Sequence, residues 1–373
     1  MTTYVKASCH CKSNVFQIPF KTNSLPKSGG ICHCNICRHS TGQMGYMDVR
    51  VDGEPLSLDS TESNPIPADL SNLTAYKSSS YAIRYFCSTC SAHMFFRTNE
   101  TSGDPHWAVL PGVLEKVDGI VSIDHHIFLG DTLDGGLADH YQRTGDKRIS
   151  RHKTWDKDPA NAGVGELPVG WRDPSAKTTS NASPETLPYY CHCKSVQFHL
   201  TRATKPSDDP RVYWLVPGEE PTDPIRFITA HCLCNSCRLT GGGLIQSWTM
   251  VPPENVIDPT TNAPVQLADP AKRLRGLKQY NSSPGKHREF CGTCGATVFW
   301  WKDKDESDDS PVPMDVSVGL VDQAAAGGAR AESWLAWYDQ LIHKEFALSQ
   351  ETVKALEQGL ADTLKEPRDD DDA

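Results

Sequence analysis

Fourteen cysteines fall into two copies of one seven-cysteine pattern, and none is left over. In the first copy Cys9-x-Cys11 precedes the dense run Cys32-His33-Cys34-Asn35-Ile36-Cys37-Arg38, and Cys87-x-x-Cys90 follows it. In the second, Cys191-x-Cys193 precedes Cys232-Leu233-Cys234-Asn235-Ser236-Cys237-Arg238, and Cys291-x-x-Cys294 follows. The flanks repeat too. Phe16 and Ile18 fall in step with Phe198 and Leu200, Phe86 with Phe290, Phe95 with Phe299, and Gly112-Val113-Leu114-Glu115 with Gly319-Leu320-Val321-Asp322. Self-similarity at this level means one structural unit written twice. It divides the chain into a first unit at 1–140, a linker at 141–186, a second unit at 187–345 and a C-terminal segment at 346–373.

Such a pattern excludes a small disulfide scaffold. Extended i and i+2 residues hold their Cβ atoms beyond the roughly 3.5–4.5 Å a disulfide needs, so neither Cys9-x-Cys11 nor Cys191-x-Cys193 closes on itself. Metal-bound thiolates in a reducing compartment are the expectation, which is the cytoplasm. Met1-Thr2-Thr3-Tyr4-Val5-Lys6 carries no apolar signal core, and no run approaches the roughly 20 apolar residues of a membrane span. A net charge of -10, with Asp369 to Asp372 at the end, argues against nucleic acid as the main partner.

Seven thiols suit two metal ions better than one. Structural zinc takes four ligands in a closed tetrahedron, whereas catalytic zinc keeps three and leaves one position open. Two chain-distant pairs build the closed type, which assigns Cys9, Cys11, Cys87 and Cys90 to one zinc and Cys191, Cys193, Cys291 and Cys294 to another. Cys32, Cys34 and Cys37, and likewise Cys232, Cys234 and Cys237, then form tight three-thiolate loops as candidate catalytic sites. Two zinc ions per unit, four in all, is the expected content. Iron–sulfur ligation is the alternative metal chemistry, and completion of each loop by a fourth internal ligand is the alternative to a catalytic site.

Three neighbours of these loops invite roles. His33, between two ligands, reads either as an acid–base group or as a packing histidine, because the middle side chain of an extended C-x-C points away from the metal. Arg38 and Arg238 follow the last cysteine and read either as anchors for a substrate carboxylate or as braces for the thiolate loop. Leu233 in place of His33, with the run Gly241-Gly242-Gly243, raises a division of labour between the units.

Elsewhere the local signal is mainly β, with few short helices. Met47, Val49 and Val51 alternate with polar residues, as do Tyr81, Ile83 and Tyr85, and Val121, Ile123, His125, Ile127 and Leu129. Val353, Leu356, Leu360 and Leu364 recur at helical spacing behind a Ser349 cap and predict an amphipathic C-terminal helix, a packing arm over one unit. The Pro-rich stretch at 202–226 and the acidic stretch from Asp303 to Asp309 read as solvated surface, and the tail after Pro367 as disordered.

At these residues the chain resembles the glutathione-dependent formaldehyde-activating enzyme family, which includes the centromere protein V relatives. That family's run is C-H-C-G, then C-H-C-S-x-C-R-K-x-x-G, then F-C-x-x-C-G, and both copies resemble all three pieces in order over about 7–140 and 188–340. Lys12, Lys194, Ser91 and Leu233 depart from it, the first three at glycine positions. The resemblance implies two tandem zinc-binding β-tent domains, with the outer pairs on a structural zinc and the central cysteines on the active-site zinc. It implies a carbon–sulfur lyase joining a small thiol, glutathione, to formaldehyde as S-hydroxymethylglutathione or releasing it, with an aldehyde or larger thiol adduct as the substrate class. The competing reading is a non-catalytic zinc-stabilised module that binds a protein or thiol partner.

Overall fold

Alternating apolar residues bounded by Gly, Pro and Ser turns make strands, and strands dominate. The computed structural model describes residues 1–155, 165–176, 185–305, 307 and 309–365; the predicted disordered tail and the side chain of Leu364 lie outside them. The fold is mainly β, as expected. Each unit opens with an antiparallel hairpin, Thr2–Ser8 with Val15–Lys21 and Thr186–Tyr190 with Gln197–Thr201, burying Phe16, Ile18, Phe198 and Leu200.

A large sheet follows in each unit with the same strand order. In the first it runs Val121–Ile127, Lys27–Cys32, Tyr46–Arg50, Trp107–Val109, His93–Thr98, Ala82–Cys87, Leu73–Lys77. In the second it runs Leu335–Trp337, Arg226–Cys232, Gln246–Val251, Met314–Ser317, Thr297–Lys302, Lys286–Cys291, Leu277–Ser283. Between the second and third strands of each list sits a two-turn helix, Asn35–Thr41 or Asn235–Gly241, opened by Cys34 or Cys234. The dense cysteine run is therefore a strand end, a turn and a helix start.

Two strands differ from the sequence reading. On Ala82–Cys87 the inward face is Ala82, Arg84 and Phe86, while Tyr81 is exposed and Ile83 and Tyr85 are half-buried. Period two holds but the face is reversed, because a charged residue is on the buried side. Along Val121–Ile127 a register shift opposite Gly29 and Gly30 moves His126 rather than His125 inward.

The units pack through a pseudo-two-fold set of contacts. His10 Nδ1 meets the Tyr280 hydroxyl at 2.7 Å, and the equivalent pair, His192 Nδ1 and the Tyr76 hydroxyl, meets at 2.6 Å. Gly112 N donates to Gly242 O at 2.7 Å and Gly319 N to Gly42 O at 3.1 Å. A Cβ on Gly112 would stand 2.4 Å from Gly242 O, and one on Gly319 2.3 Å from Gln43 O, so both crossings need glycine. The glycine run of the second unit has the same explanation, since Gly241 and Gly243 make room for the Gln43 side chain of the first. One hydrophobic cluster continues through both units.

Segments between and after the units pack closely. Within the stretch expected as a linker, Tyr141, Ile149 and Arg151 are buried, and Ser150–Arg151 adds a parallel strand to Val121–Ile127. Gln350–Lys365 is the expected helix. Ser349 Oγ accepts from Thr352 N at 3.2 Å, and Val353, Leu356 and Leu360 are buried. Although it follows the second unit, the helix covers the first, with Thr363 Oγ1 donating to Asp139 O at 2.9 Å. Among the described residues no helix is long and apolar enough to cross a membrane.

Candidate functional site

The fourteen thiols are all free, and their sulfurs gather into four groups, each within 4.8 Å. Two are the fours, Cys9/Cys11/Cys87/Cys90 and Cys191/Cys193/Cys291/Cys294; two are the threes, Cys32/Cys34/Cys37 and Cys232/Cys234/Cys237. In the fours, Cys9 lies 3.5 Å from Cys11 and Cys11 3.6 Å from Cys87; the second copy repeats this at 3.5 Å for both Cys191–Cys193 and Cys193–Cys291. A tetrahedral zinc with bonds of about 2.3 Å separates its sulfurs by about 3.8 Å, so these pairs stand within a few tenths of an ångström of zinc spacing and need only move slightly apart. Asn14 Nδ2 also donates to Cys87 Sγ at 3.2 Å, the kind of outer contact that would orient this sulfur towards a metal. The donor set therefore fits zinc.

The turns that aim these sulfurs survive the departures from glycine. Lys12, Ser91 and Lys194 have φ of 64°, 65° and 58°, and Gly295, which corresponds to Ser91, has 82°. The replacements take up the left-handed geometry that glycine would adopt freely.

Each triad sits differently from its four-cysteine neighbour. In both, the first-turn amide of the short helix donates back to the middle cysteine, Cys37 N to Cys34 Sγ at 3.4 Å and Cys237 N to Cys234 Sγ at 3.3 Å. Hydrogen bonds from Cys32 and Cys37 pull the Cys34 thiol down to about 2, while bonding to Cys34 and Cys37 pushes Cys32 up. In the second triad hydrogen bonds from Cys232 and Cys234 pull Cys237 down. A thiolate is thus already favoured in each loop.

Behind each third cysteine stands a buried arginine absent from the sequence reading. Arg84 Nη2 donates to Cys37 Sγ at 3.1 Å, and Arg288 Nη2 to Cys237 Sγ at 3.5 Å. Burial opposes both charges, but the thiolates outweigh it and hold both guanidiniums more firmly protonated than usual. Arg84 also stacks over the Tyr46 ring, 4.3 Å from its centroid. The available signal was position, since each arginine stands three residues before the first cysteine of its C-x-x-C pair.

The flagged neighbours have other partners. His33 is fully buried, with Nε2 2.9 Å from His126 Nδ1, and burial drives its pKa well down. The packing reading holds for it. The second unit shifts the motif by two positions, so that His231 pairs with His140 at 3.0 Å while Leu233 is buried. Arg38 Nη2 donates to Asn35 Oδ1 and to Gln323 Oε1 of the second unit, at 2.7 and 2.8 Å. Arg238 Nη1 reaches Gly112 O of the first unit at 2.6 Å. Both arginines fasten their loop to the opposite unit, so the substrate-anchor reading is corrected by inter-unit contacts that spacing does not show.

A cavity of about 670 Å³ opens on the second triad. Cys232, Cys234 and Cys237 line it together with Arg288 and Asp315, and Trp214, Trp248 and Trp300 form its apolar wall. Trp248 Nε1 donates to Cys237 Sγ at 3.5 Å. Arg211, Tyr213 and Trp214 come from the Pro-rich stretch expected as plain surface; Leu215–Val216 pairs with Arg226–Cys232 and brings that stretch against the site. The size lies within the range of about 300–1,000 Å³ of small-molecule sites.

A family model described as glutathione-dependent formaldehyde-activating enzyme matches residues 4–131 and again 219–337. No curated protein and no solved structure gives a match. The second matched region starts after Cys191 and Cys193, yet these two complete its four-sulfur cluster in space. With two matched regions that together span well over half its length, the chain belongs to the glutathione-dependent formaldehyde-activating enzyme family, as two family units in tandem.

Proposed function

We propose that the protein is a zinc-dependent carbon–sulfur lyase of a reducing compartment such as the cytoplasm, acting on a thiol adduct such as S-hydroxymethylglutathione or a larger relative. The observation that carries this reading is the difference between the two kinds of cluster. The four-sulfur groups are saturated for zinc, while the triad Cys232/Cys234/Cys237 has three sulfurs and lines a small-molecule cavity. In this reading all four clusters hold zinc, with Cys32, Cys34 and Cys37 and their counterparts as reaction centres. Zinc at a triad would supply a Lewis acid that keeps a substrate sulfur as thiolate at neutral pH.

The chain's own residues suit an anionic thiol. Three thiolates on a divalent ion carry one net negative charge, and the guanidinium of Arg84 or Arg288 cancels it, so that another thiolate meets a neutral centre. At the second cavity Lys286 and Lys302 stand directly opposite each other on paired strands and both line the space. Like charges in that relation are destabilising unless an anion lies between them, and neither lysine has an ion-pair partner among the described residues. The carboxylates of glutathione meet that need.

The test is a metal count on the intact chain, then turnover of the glutathione–formaldehyde adduct by the wild type and by Cys34→Ser/Cys234→Ser. Four zinc ions, and turnover lost in a variant that stays folded, is the expected result. Unchanged turnover in the double variant would sink the lyase reading. Zinc absorption spectra with four protein ligands at every site would favour the binding module.

A further inference from the structure

The floor beside the second triad is a row of side chains crossing four strands. Arg288 stands opposite Trp300, Trp300 opposite Asp315, and Asp315 opposite Met250. The first unit builds the same row as Arg84, Phe96, Ala108 and Arg50. Alanine thus takes the place of Asp315. Yet the first unit has an aspartate on the same sheet face, at Asp48, two residues from Arg50 on the neighbouring strand. The counterpart of Asp48 in the second unit is Trp248: Asp48 lies two residues after Tyr46, the partner of Cys32, and Trp248 two after Gln246, the partner of Cys232. Each unit therefore presents one aspartate on the same face of the same two strands, but from a different strand. A side chain kept for packing has no reason to change strands in this way; one kept for where its carboxylate stands does.

Both carboxylates are half-buried, and neither has a hydrogen-bond or ion-pair partner among the described residues. Asp315 lines the cavity with the cysteine triad. The charged and titratable groups facing Asp48 are Arg84, His106, His125 and Tyr46; those facing Asp315 are Arg288, Cys237 and Tyr213. Burial pushes Asp48 up to about 6 and is the main cause that raises Asp315 above the usual carboxylate range. A carboxyl that exchanges its proton near neutrality is matched to acid–base work at working pH.

Building on the reading of the triads as thiol-adduct centres, we propose that Asp48 and Asp315 are the proton-transfer residues of their units, serving the adduct oxygen while the sulfur is held at the adjacent cysteine loop. In the joining direction the sulfur electron pair makes the C–S bond and the carbonyl π pair moves to oxygen. That oxygen takes the carboxyl proton. The proton lost by the thiol on binding goes to solvent, and solvent returns one to the carboxylate. Cleavage reverses these steps: the carboxylate takes the hydroxyl proton as the C–S pair returns to sulfur. No oxidant or reductant is involved.

Asp48→Asn and Asp315→Asn, singly and together in the zinc-loaded full chain, test this with glutathione and formaldehyde as probes. The double variant is expected to lose at least about 100-fold in kcat and the ionisation near neutrality in its pH profile, while zinc content and the Kd for glutathione measured by calorimetry stay as in the wild type. Unchanged kcat and pH profile, or loss of zinc from the variant, overturns the assignment. Difference infrared spectra of wild type minus variant read the carboxyls without turnover. Carboxyl bands persisting to near neutral pH support it, and complete ionisation by about pH 5, as for an ordinary carboxyl, overturns it. A wild type inert towards formaldehyde would count against the lyase reading instead, and the infrared result would still decide whether the two aspartates hold protons near neutrality.

Discussion

Arg84 donates from Nη2 to the Cys37 sulfur at 3.1 Å, a contact between two buried residues 47 positions apart in the chain. Arg288 repeats the contact with Cys237, so the relationship belongs to the unit and not to one copy. With zinc at the triad, as proposed, it would balance the charge of a three-thiolate loop without occupying a ligand position. Replacing either arginine by methionine removes the balancing charge while keeping much of the volume. Outer partners of metal ligands are typically worth about 10–100-fold in metal affinity, and a chelator competition should show a loss of that size at one triad per variant. Equal zinc affinity in wild type and variant would remove the charge-balancing role.

The four-sulfur clusters tie the first hairpin of each unit to the far end of its main sheet. Structural zinc contributes about 10–16 kcal/mol in small zinc domains, comparable to the whole stability of an ordinary domain. Cys9→Ser or Cys291→Ser should therefore abolish cooperative thermal unfolding, whereas Cys34→Ser should lower zinc content by one and leave most of the transition intact. Circular dichroism melts alongside metal counts check both.

Lys12 holds a left-handed backbone, φ 64°, at an exposed turn. That geometry costs a non-glycine residue about 1–2 kcal/mol, against about 0.5–1 kcal/mol of extra chain entropy lost by glycine. Lys12→Gly should raise stability by up to about 1 kcal/mol in urea titrations of the zinc-loaded protein. Gly295→Ala should do the opposite, since its φ is 82° and a Cβ there would stand 2.6 Å from the Phe86 ring of the other unit.

Two histidines at the junction between units set a lower pH limit. Burial drives His39 and His93 down to about 3, and each is bonded across the junction, His39 Nδ1 to Tyr190 O at 2.7 Å and His93 Nε2 to Gly295 O at 3.0 Å. Both pKa values lie below the unfolded value of about 6.5, so the unfolded chain binds more protons at acid pH. Their contribution is complete above about pH 6.5 and is lost as pH falls towards about 3, at up to about 1.4 kcal/mol per pH unit for each. Denaturation midpoints should fall below pH 6, and His93→Gln should flatten that fall. An unchanged slope in the variant would assign the acid sensitivity elsewhere.

The grouping of the sulfurs, the mainly-β class, the tandem repeat and the C-terminal helix were all legible in the residues, because each depends on spacing along a short stretch or on recurrence of one pattern. Cysteines one or two residues apart must lie together wherever the chain goes, and period-two alternation reports a strand locally. What surrounds the triads is a different kind of fact. Arg84 reads as an outward polar residue until the strand Ala82–Cys87 is seen with its charged side turned towards thiolates. Arg38 and Arg238 read as site residues until the opposite unit supplies Gln323 and Gly112 as their partners. Asp48 and Asp315 have no common place in the repeat, and only cross-strand register puts them on one face. The sequence by itself determined which thiols gather and how each turn closes, since those are contacts between near neighbours. Tertiary structure alone decided which face each strand turns inward and how one unit completes the other, because burial and charge balance depend on residues tens to hundreds of positions away.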